Sequence, residues 1–444
     1  MSSGRLDGCE EICLAETSVM PRTSNVFTSF LIQVRANGLR TNYFFVSYIL
    51  FIAGFFFLKD VKTHINLFYA LILAPYMLVL PWNITKLPLR SRIFQTILIL
   101  VGYLMITLIW SDKGTARDYL GLGNNCITLL TFFALTCELT LSINGFQRFL
   151  ITLICCIAAL APYLLLIDPH YVIPVFPGRF ADLLVLRNSV QIGNVYGMAA
   201  LLVYFSMMQR EKLGRALLSV LLLAAILPVF ILAQSRGPMV GLYITFLLGG
   251  LFSRDSRLLF ALCCITILIA FLLISHDAFL QNLIISRSDS FRIEIFHITF
   301  SLIKKKMFFG YGLLKDSSLH LANGMLIKHP HNLYLATWLY GGLAGLLLLL
   351  ISLICAFRQA IVVFIKEKDF TYVALLMYAS ICVFTGNDMV IDHPVPLFLF
   401  YWMPIALLAA HEVKKKGYYV PDKTGKAGNT AVVSPGRSEG LKDA

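Results

Sequence analysis

The chain has 444 residues, of which 58% are hydrophobic and 14% charged, and its mean hydropathy is +0.77. That is far below the roughly 25% charged residues of a soluble domain. The apolar residues fall in separate runs of roughly 16 to 20, each about long enough to cross a ~30 Å hydrocarbon core as a helix, which excludes one large soluble core. A β-barrel is excluded because its strands would alternate in polarity. The formal charge of +13 is spread over the short connections between the runs. Membrane topology explains that spread better than a nucleic-acid surface does, and no nucleic-acid partner is expected.

Residues 1–42 read as a polar cytoplasmic tail with Arg5, Arg22, Arg35 and Arg40 and no apolar core of a cleavable signal. Nine spans follow within 43–274, predicted at 43–58, 65–82, 94–110, 126–141, 149–167, 189–208, 216–233, 240–252 and 258–274. Residues 275–331 form the one long connection, and loops of that length carry function. Within it Phe291, Ile295, Ile298 and Leu302 recur at helical spacing, with Arg292, Glu294 and Lys304 on other faces, which predicts an amphipathic interfacial helix. Three further spans, at 332–357, 372–385 and 397–410, complete the segment 332–410. Residues 411–444 read as a cytoplasmic, disordered tail. The expected fold class is therefore all-α, a polytopic membrane protein of about twelve helices with one large periplasmic loop.

Orientation follows from Lys and Arg, which concentrate in cytoplasmic loops. With both termini inside, Lys86, Arg90, Arg92, Arg148, Arg210, Lys212, Arg215, Arg254, Arg257, Arg358, Lys366, Lys368 and Lys414 to Lys416 face the cytoplasm. The short outer loops keep only Lys59, Lys62, Lys113, Arg117, Arg179, Arg187 and Arg236. The ten cysteines sit mostly inside apolar runs or, as Cys9 and Cys13, in the N-terminal tail, so no disulfide framework is expected.

Several positions stand out because their placement costs energy unless something uses them. Arg236, in Gln234-Ser235-Arg236-Gly237-Pro238, puts a guanidinium between two apolar runs at the outer surface. Arg292 lies on the amphipathic helix, with Arg287 shortly before it. Lys328-His329-Pro330-His331-Asn332 opens the next span. Each has a plain reading when taken alone. Arg236 would snorkel to the headgroups, Arg292 and Lys304 to Lys306 would meet lipid phosphates, and a histidine near a helix start would be structural. Gly341 and Gly345 form a small-xxx-small pair that lets helices pack closely. Asp388 and Asp392 have only His393 nearby at ligand spacing, so no metal site is expected. Taken together, two arginines and a histidine on one side of a membrane suit chemistry at a lipid-linked phosphate. Guanidinium forks bind phosphate oxygens bidentately, and a neutral imidazole takes a proton from a hydroxyl.

At these residues the sequence resembles the O-antigen ligase and polymerase superfamily of bacterial inner-membrane glycosyltransferases. The matching segments are Ser235-Arg236-Gly237, Phe291-Arg292-Ile293-Glu294-Ile295, Phe309-Gly310-Tyr311-Gly312, and His331-Asn332-Leu333-Tyr334-Leu335 followed by Tyr340-Gly341-Gly342-Leu343-Ala344-Gly345. The resemblance runs from about Pro177 to Ala410. It implies a GT-C-like helical fold, Arg236 and Arg292 on the pyrophosphate of an undecaprenyl-linked glycan donor, and His331 activating a hydroxyl of a lipid A-core acceptor. It also implies inversion at the sugar, no cofactor and no metal. Arg179, in Pro177-Gly178-Arg179-Phe180, is a further pyrophosphate candidate, with Gly193 and Asn194 following at a longer spacing than relatives show, and Arg187 competes for the role. His329 competes with His331, while Arg287 and Asn332 are weaker candidates. The expected setting is the inner membrane of a Gram-negative bacterium, among membrane lipids, with the site facing the periplasm and no obligatory protein partner. A polymerase with the same donor and a lipid-linked glycan flippase are the alternative functions. Ligation is favoured by the Ser-Arg-Gly turn and the His-x-His-Asn helix start, with a single long loop between them.

Overall fold

A computed structural model describes residues 38–79, 88–112, 114–166, 172–174, 180–183, 185–186, 188–208, 213–253, 255, 258–259, 261–264, 266–267, 291–314, 318–320, 326–327, 330–386 and 389–416. Helix α1 (Gly38–Phe57) begins ahead of the predicted start at Tyr43. Helix α2 runs from Val61–Phe68 through a π-helical stretch, Tyr69–Leu73, into Ala74–Leu78. Then come α3 (Arg92–Ile106), α4 (Ala116–Ser142) and α5 (Phe146–Leu166). A short antiparallel pair, β1 (Val172–Pro174) and β2 (Phe180–Leu183), precedes α6 (Ser189–Leu202), α7 (Leu213–Leu232) and α8 (Arg236–Ser253). Helix α9 (Arg292–Lys305) is the expected amphipathic element. It is followed by the pair β3 (Leu319–His320) and β4 (Leu326–Ile327), then α10 (Leu333–Glu367), α11 (Thr371–Phe384) and α12 (Met403–Lys415). Five stretches, Gly38–Phe57, Arg92–Ile109, Ala116–Ser142, Ser189–Met207 and Leu333–Glu367, are long and apolar enough to cross a membrane by length and composition. The predicted span at 258–274 lies largely outside the described residues, as do the tails 1–37 and 417–444. The two small β pairs qualify the all-α reading; each joins neighbouring stretches of one loop region.

Helix α12 is buried along almost its whole length and packs against α4, α3 and α10. Several polar groups inside the bundle are matched with one another, as an apolar surrounding favours. Tyr48 Oη and Thr136 Oγ1 lie 2.9 Å apart, Tyr76 Oη donates to Glu138 Oε1 at 2.8 Å, and Arg40 approaches Glu138 Oε2 at 3.8 Å.

Helix α10, 35 residues long, is broken. Gly342 adopts φ 65° and ψ −171°, a region essentially reserved for glycine, and the helix resumes beyond it. The backbone groups freed by the break are taken up by the segment that follows α9. Tyr311 N donates to Leu339 O at 2.9 Å and Gly312 N to Tyr340 O at 2.8 Å. In return Leu343 N donates to Met307 O at 2.8 Å and Ala344 N to Phe308 O at 3.3 Å. Tyr103 Oη of α3 takes the remaining carbonyl, Gly341 O, at 2.7 Å. Irregular backbone persists within an apolar bundle only where protein satisfies it in this way.

Glycines on both sides make the joint possible. Gly310 and Gly312 also have positive φ. A Cβ on Gly310 would stand 2.4 Å from Gly342 N, and one on Gly342 would stand 2.2 Å from Phe308 O. Gly341 and Gly345 serve the close packing the sequence suggested, facing Leu104 and Tyr103 of α3. The glycine that shapes the fold is the one between them.

Candidate active site

Helix ends gather at one end of the bundle. The start of α8 packs on the start of α6, where a Cβ on Gly193 would meet Pro238 Cγ at 2.9 Å and Ser235 Cβ at 3.3 Å. It also packs on the end of α11, where a Cβ on Gly237 would meet Thr385 Oγ1 at 2.1 Å. Gln234, at φ 46°, turns the chain into α8, and both Gln234 and Ser235 are buried. The Ser-Arg-Gly segment is thus a tight turn pressed between two helices, with Arg236 at its exit. Its glycine is required by Thr385.

Phe291, at φ 50°, starts α9 in the same way and leads directly into Arg292. Arg292 Nη2 donates to Thr385 O at 3.1 Å. Thr385 therefore touches both arginine-bearing turns, one through its hydroxyl and one through its carbonyl. Burial, and then the nearby positive charge of Arg236, press the Arg292 guanidinium below its ordinary value. Two like charges are held as neighbours.

His331, at φ 51°, stands just ahead of α10. Asn332 caps that helix, its Oδ1 accepting from Tyr334 N at 2.9 Å and Leu335 N at 3.1 Å. Asn332 is fully buried, and its Nδ2 has no hydrogen-bond partner among the described residues. Tyr334 Oη donates to Ser380 O of α11 at 3.2 Å. The Phe384 ring lies 6.4 Å from Tyr334 and 6.0 Å from Phe296 of α9. The head of α10 and the head of α9 consequently share the last turn of α11. Asn332→Ala should lower stability by about 1 kcal/mol through loss of the cap, read as a lower Tm of the detergent-solubilised protein, and Asn332→Ser should recover most of it.

Arg236 and Arg292 are brought together, and His331 stands at the head of a helix seated on the same turn. Arg179, Arg187, Arg287 and His329 lie outside the described residues, as does Asp388, while Asp392 pairs with His393. The element that sequence reading missed is the end of α11. It receives the Tyr334 hydroxyl and the Arg292 guanidinium on backbone carbonyls, which every residue carries. Among the described residues no group of three or more His, Cys, Asp or Glu side chains is placed to hold a metal ion.

Residues 225–350, which include both arginines, His331 and both halves of the glycine joint, match the model of the O-antigen ligase family. The chain is also 28% identical over 377 residues, 82% of its length, to an O-antigen ligase of Pseudomonas aeruginosa, 89% of which is covered. The chain resembles the O-antigen ligases over most of its length. The matched residues carry the heads of α8, α9 and α10, while the start of α6 and the end of α11 lie outside them.

Proposed function

We propose that this chain transfers a preassembled glycan from undecaprenyl pyrophosphate to a hydroxyl of a lipid A-core acceptor on the periplasmic face of the inner membrane. The observation that carries this reading is the juxtaposition of Arg236 and Arg292 around Thr385. Adjacent guanidiniums repel, and in a partly buried place that repulsion is relieved by an anion spanning both. A pyrophosphate carries two charged groups and presents oxygens to two planar forks.

The chemistry then divides among the residues. As the bond between anomeric carbon and pyrophosphate oxygen breaks, negative charge grows on the leaving group, and Arg236 and Arg292 stabilise it without a metal or nucleotide. Arg179, or Arg187 in its place, would add a further contact to the donor. His331 takes the proton of the acceptor hydroxyl as its oxygen attacks the opposite face of the sugar, which inverts the anomeric centre. His329 is the other imidazole that could serve, and Arg287 a further cation on the same loop.

His331→Ala is expected to abolish transfer while the protein still inserts into the membrane and keeps its unfolding temperature. Substantial activity in that variant would remove His331 as base. Expression in a ligase-null strain and, separately, in a polymerase-null strain tests the assignment itself by lipopolysaccharide banding. Repair of the first deficiency is expected. Repair of the second alone would reassign the acceptor to a lipid-linked glycan, and repair of neither, with lipid movement across vesicles, would point to a flippase.

A further inference from the structure

At the end of the bundle away from the arginine pair, the first turn of α3, the last third of α10 and the end of α12 enclose a cavity of about 370 Å³. The cavity-lining residues of α10 begin at Cys355, so about 20 Å of helix separates them from the break at Gly342, at about 1.5 Å per residue. The cavity is walled by five cations, Arg92, Arg358, Lys366, Lys415 and Lys416, against one carboxylate, Glu412.

That carboxylate is already committed. Its Oε2 accepts from Ser91 Oγ at 2.8 Å and Arg92 N at 2.9 Å, capping α3, and Lys416 Nζ lies 2.8 Å from its Oε1. Lys416 is further tied to Arg90 O at 3.2 Å. Among the described residues no carboxylate lies within ion-pair distance of Arg92, Arg358, Lys366 or Lys415. Nor are the walls accidental neighbours. Glu412 joins α12 to α3, and His411 joins α12 to α10 through Glu367 at 2.9 Å and Gln359 at 3.5 Å.

Two features distinguish the cavity from a site for a small free anion. Its lining includes the apolar side chains of Ile93, Cys355 and Val362. Running up to it along α10 is an exposed apolar stripe, Leu347, Ile351 and Ile354, spaced four and three residues apart, and Arg358 follows four residues later on the same face. A guanidinium that interrupts a lipid-facing stripe is stabilised where an anion meets it. A greasy track that ends in a cluster of cations has the shape of a charged amphiphile.

We propose that this cavity binds the phosphodiester headgroup of an anionic phospholipid, with the acyl chains lying along Leu347, Ile351 and Ile354. The lipid sits in the leaflet opposite the arginine pair and fastens α3, α10 and α12 together.

The test uses the full-length protein solubilised in a mild detergent with phosphatidylglycerol or phosphatidylethanolamine, and reads retained lipid by native mass spectrometry. The wild type should retain phosphatidylglycerol in preference. Arg358→Gln, Lys366→Gln and Lys415→Gln combined should cut that retention by about a hundredfold, at about 1 kcal/mol per cation near a lipid surface. Arg358→Lys, Lys366→Arg and Lys415→Arg combined keep the charge and should keep the lipid. If the triple glutamine variant does not fold, Lys366→Gln alone, at an exposed helix end, should still reduce retention severalfold. Equal retention by the glutamine variants and the wild type, equal retention of phosphatidylethanolamine, or full displacement by millimolar inorganic phosphate would each overturn the proposal.

Discussion

Arg292→Lys should lower glycan transfer by about a hundredfold or more, the scale of losing one preorganised donor to a developing anion. Arg292 already uses Nη2 on Thr385 O, which fixes the plane of the guanidinium and leaves its other N–H groups aimed by that contact. A lysine at this position keeps the charge but has a single rotating head, which cannot hold the carbonyl and also present a planar fork. Arg236→Lys should behave alike, because its turn is held by Gly237 against the same threonine. Lys304→Gln, at the far end of α9, is the control and should leave transfer near the wild-type level. The measurement is transfer of labelled glycan from a purified lipid-linked donor to lipid A-core, with each variant's unfolding temperature alongside. Wild-type rates in Arg292→Lys would remove the two-fork account of donor binding.

Gly342→Ala should be among the most damaging single substitutions in the protein, costing about 3 kcal/mol or more. Two effects add. The backbone at φ 65° and ψ −171° is strained for any residue with a side chain, and the new methyl would stand 2.2 Å from Phe308 O. Relief requires the 307–312 segment to withdraw, which gives up the four exchanged backbone hydrogen bonds with 339–344. In an apolar surrounding those groups have no water to turn to. Gly345→Ala is the contrasting case, since its Cβ would meet Thr337 O and Tyr103 Cε1 at 3.4 Å, close to ordinary contact. Thermal unfolding of both variants in detergent decides the matter. Equal losses would mean that the joint contributes no more than ordinary helix packing.

The sequence made the helices legible because apolar runs declare themselves by length, and it made Arg236 and Arg292 legible because charge beside such runs is costly. The amphipathic helix was readable from its spacing, although Phe291 proves to be the left-handed residue ahead of it and Thr299 and Ile303 join Ile295 on its buried face. The break at Gly342 was not readable. It sits in a continuous apolar stretch, and hydropathy has no term for a backbone bond made to a segment thirty-odd residues away. The end of α11 escaped notice for a related reason. Ser380 and Thr385 receive Tyr334 and Arg292 on their carbonyls, which every residue carries, so residue type did not announce the part they play. Cap chemistry lies between these cases: Asn332 is a good helix-start residue by type, and it caps α10 as its type suggests.

The interlocking glycine segments also bear on how such chains diverge and on how they can be recombined. Each half of the joint is cut to fit the other, with Gly310 bedded against Gly342 and Tyr340. A hybrid gene with its crossover between residues 312 and 339 would bring together a tenon and a mortise from different carpenters, whereas exchanging both segments as one cassette would carry the fit along.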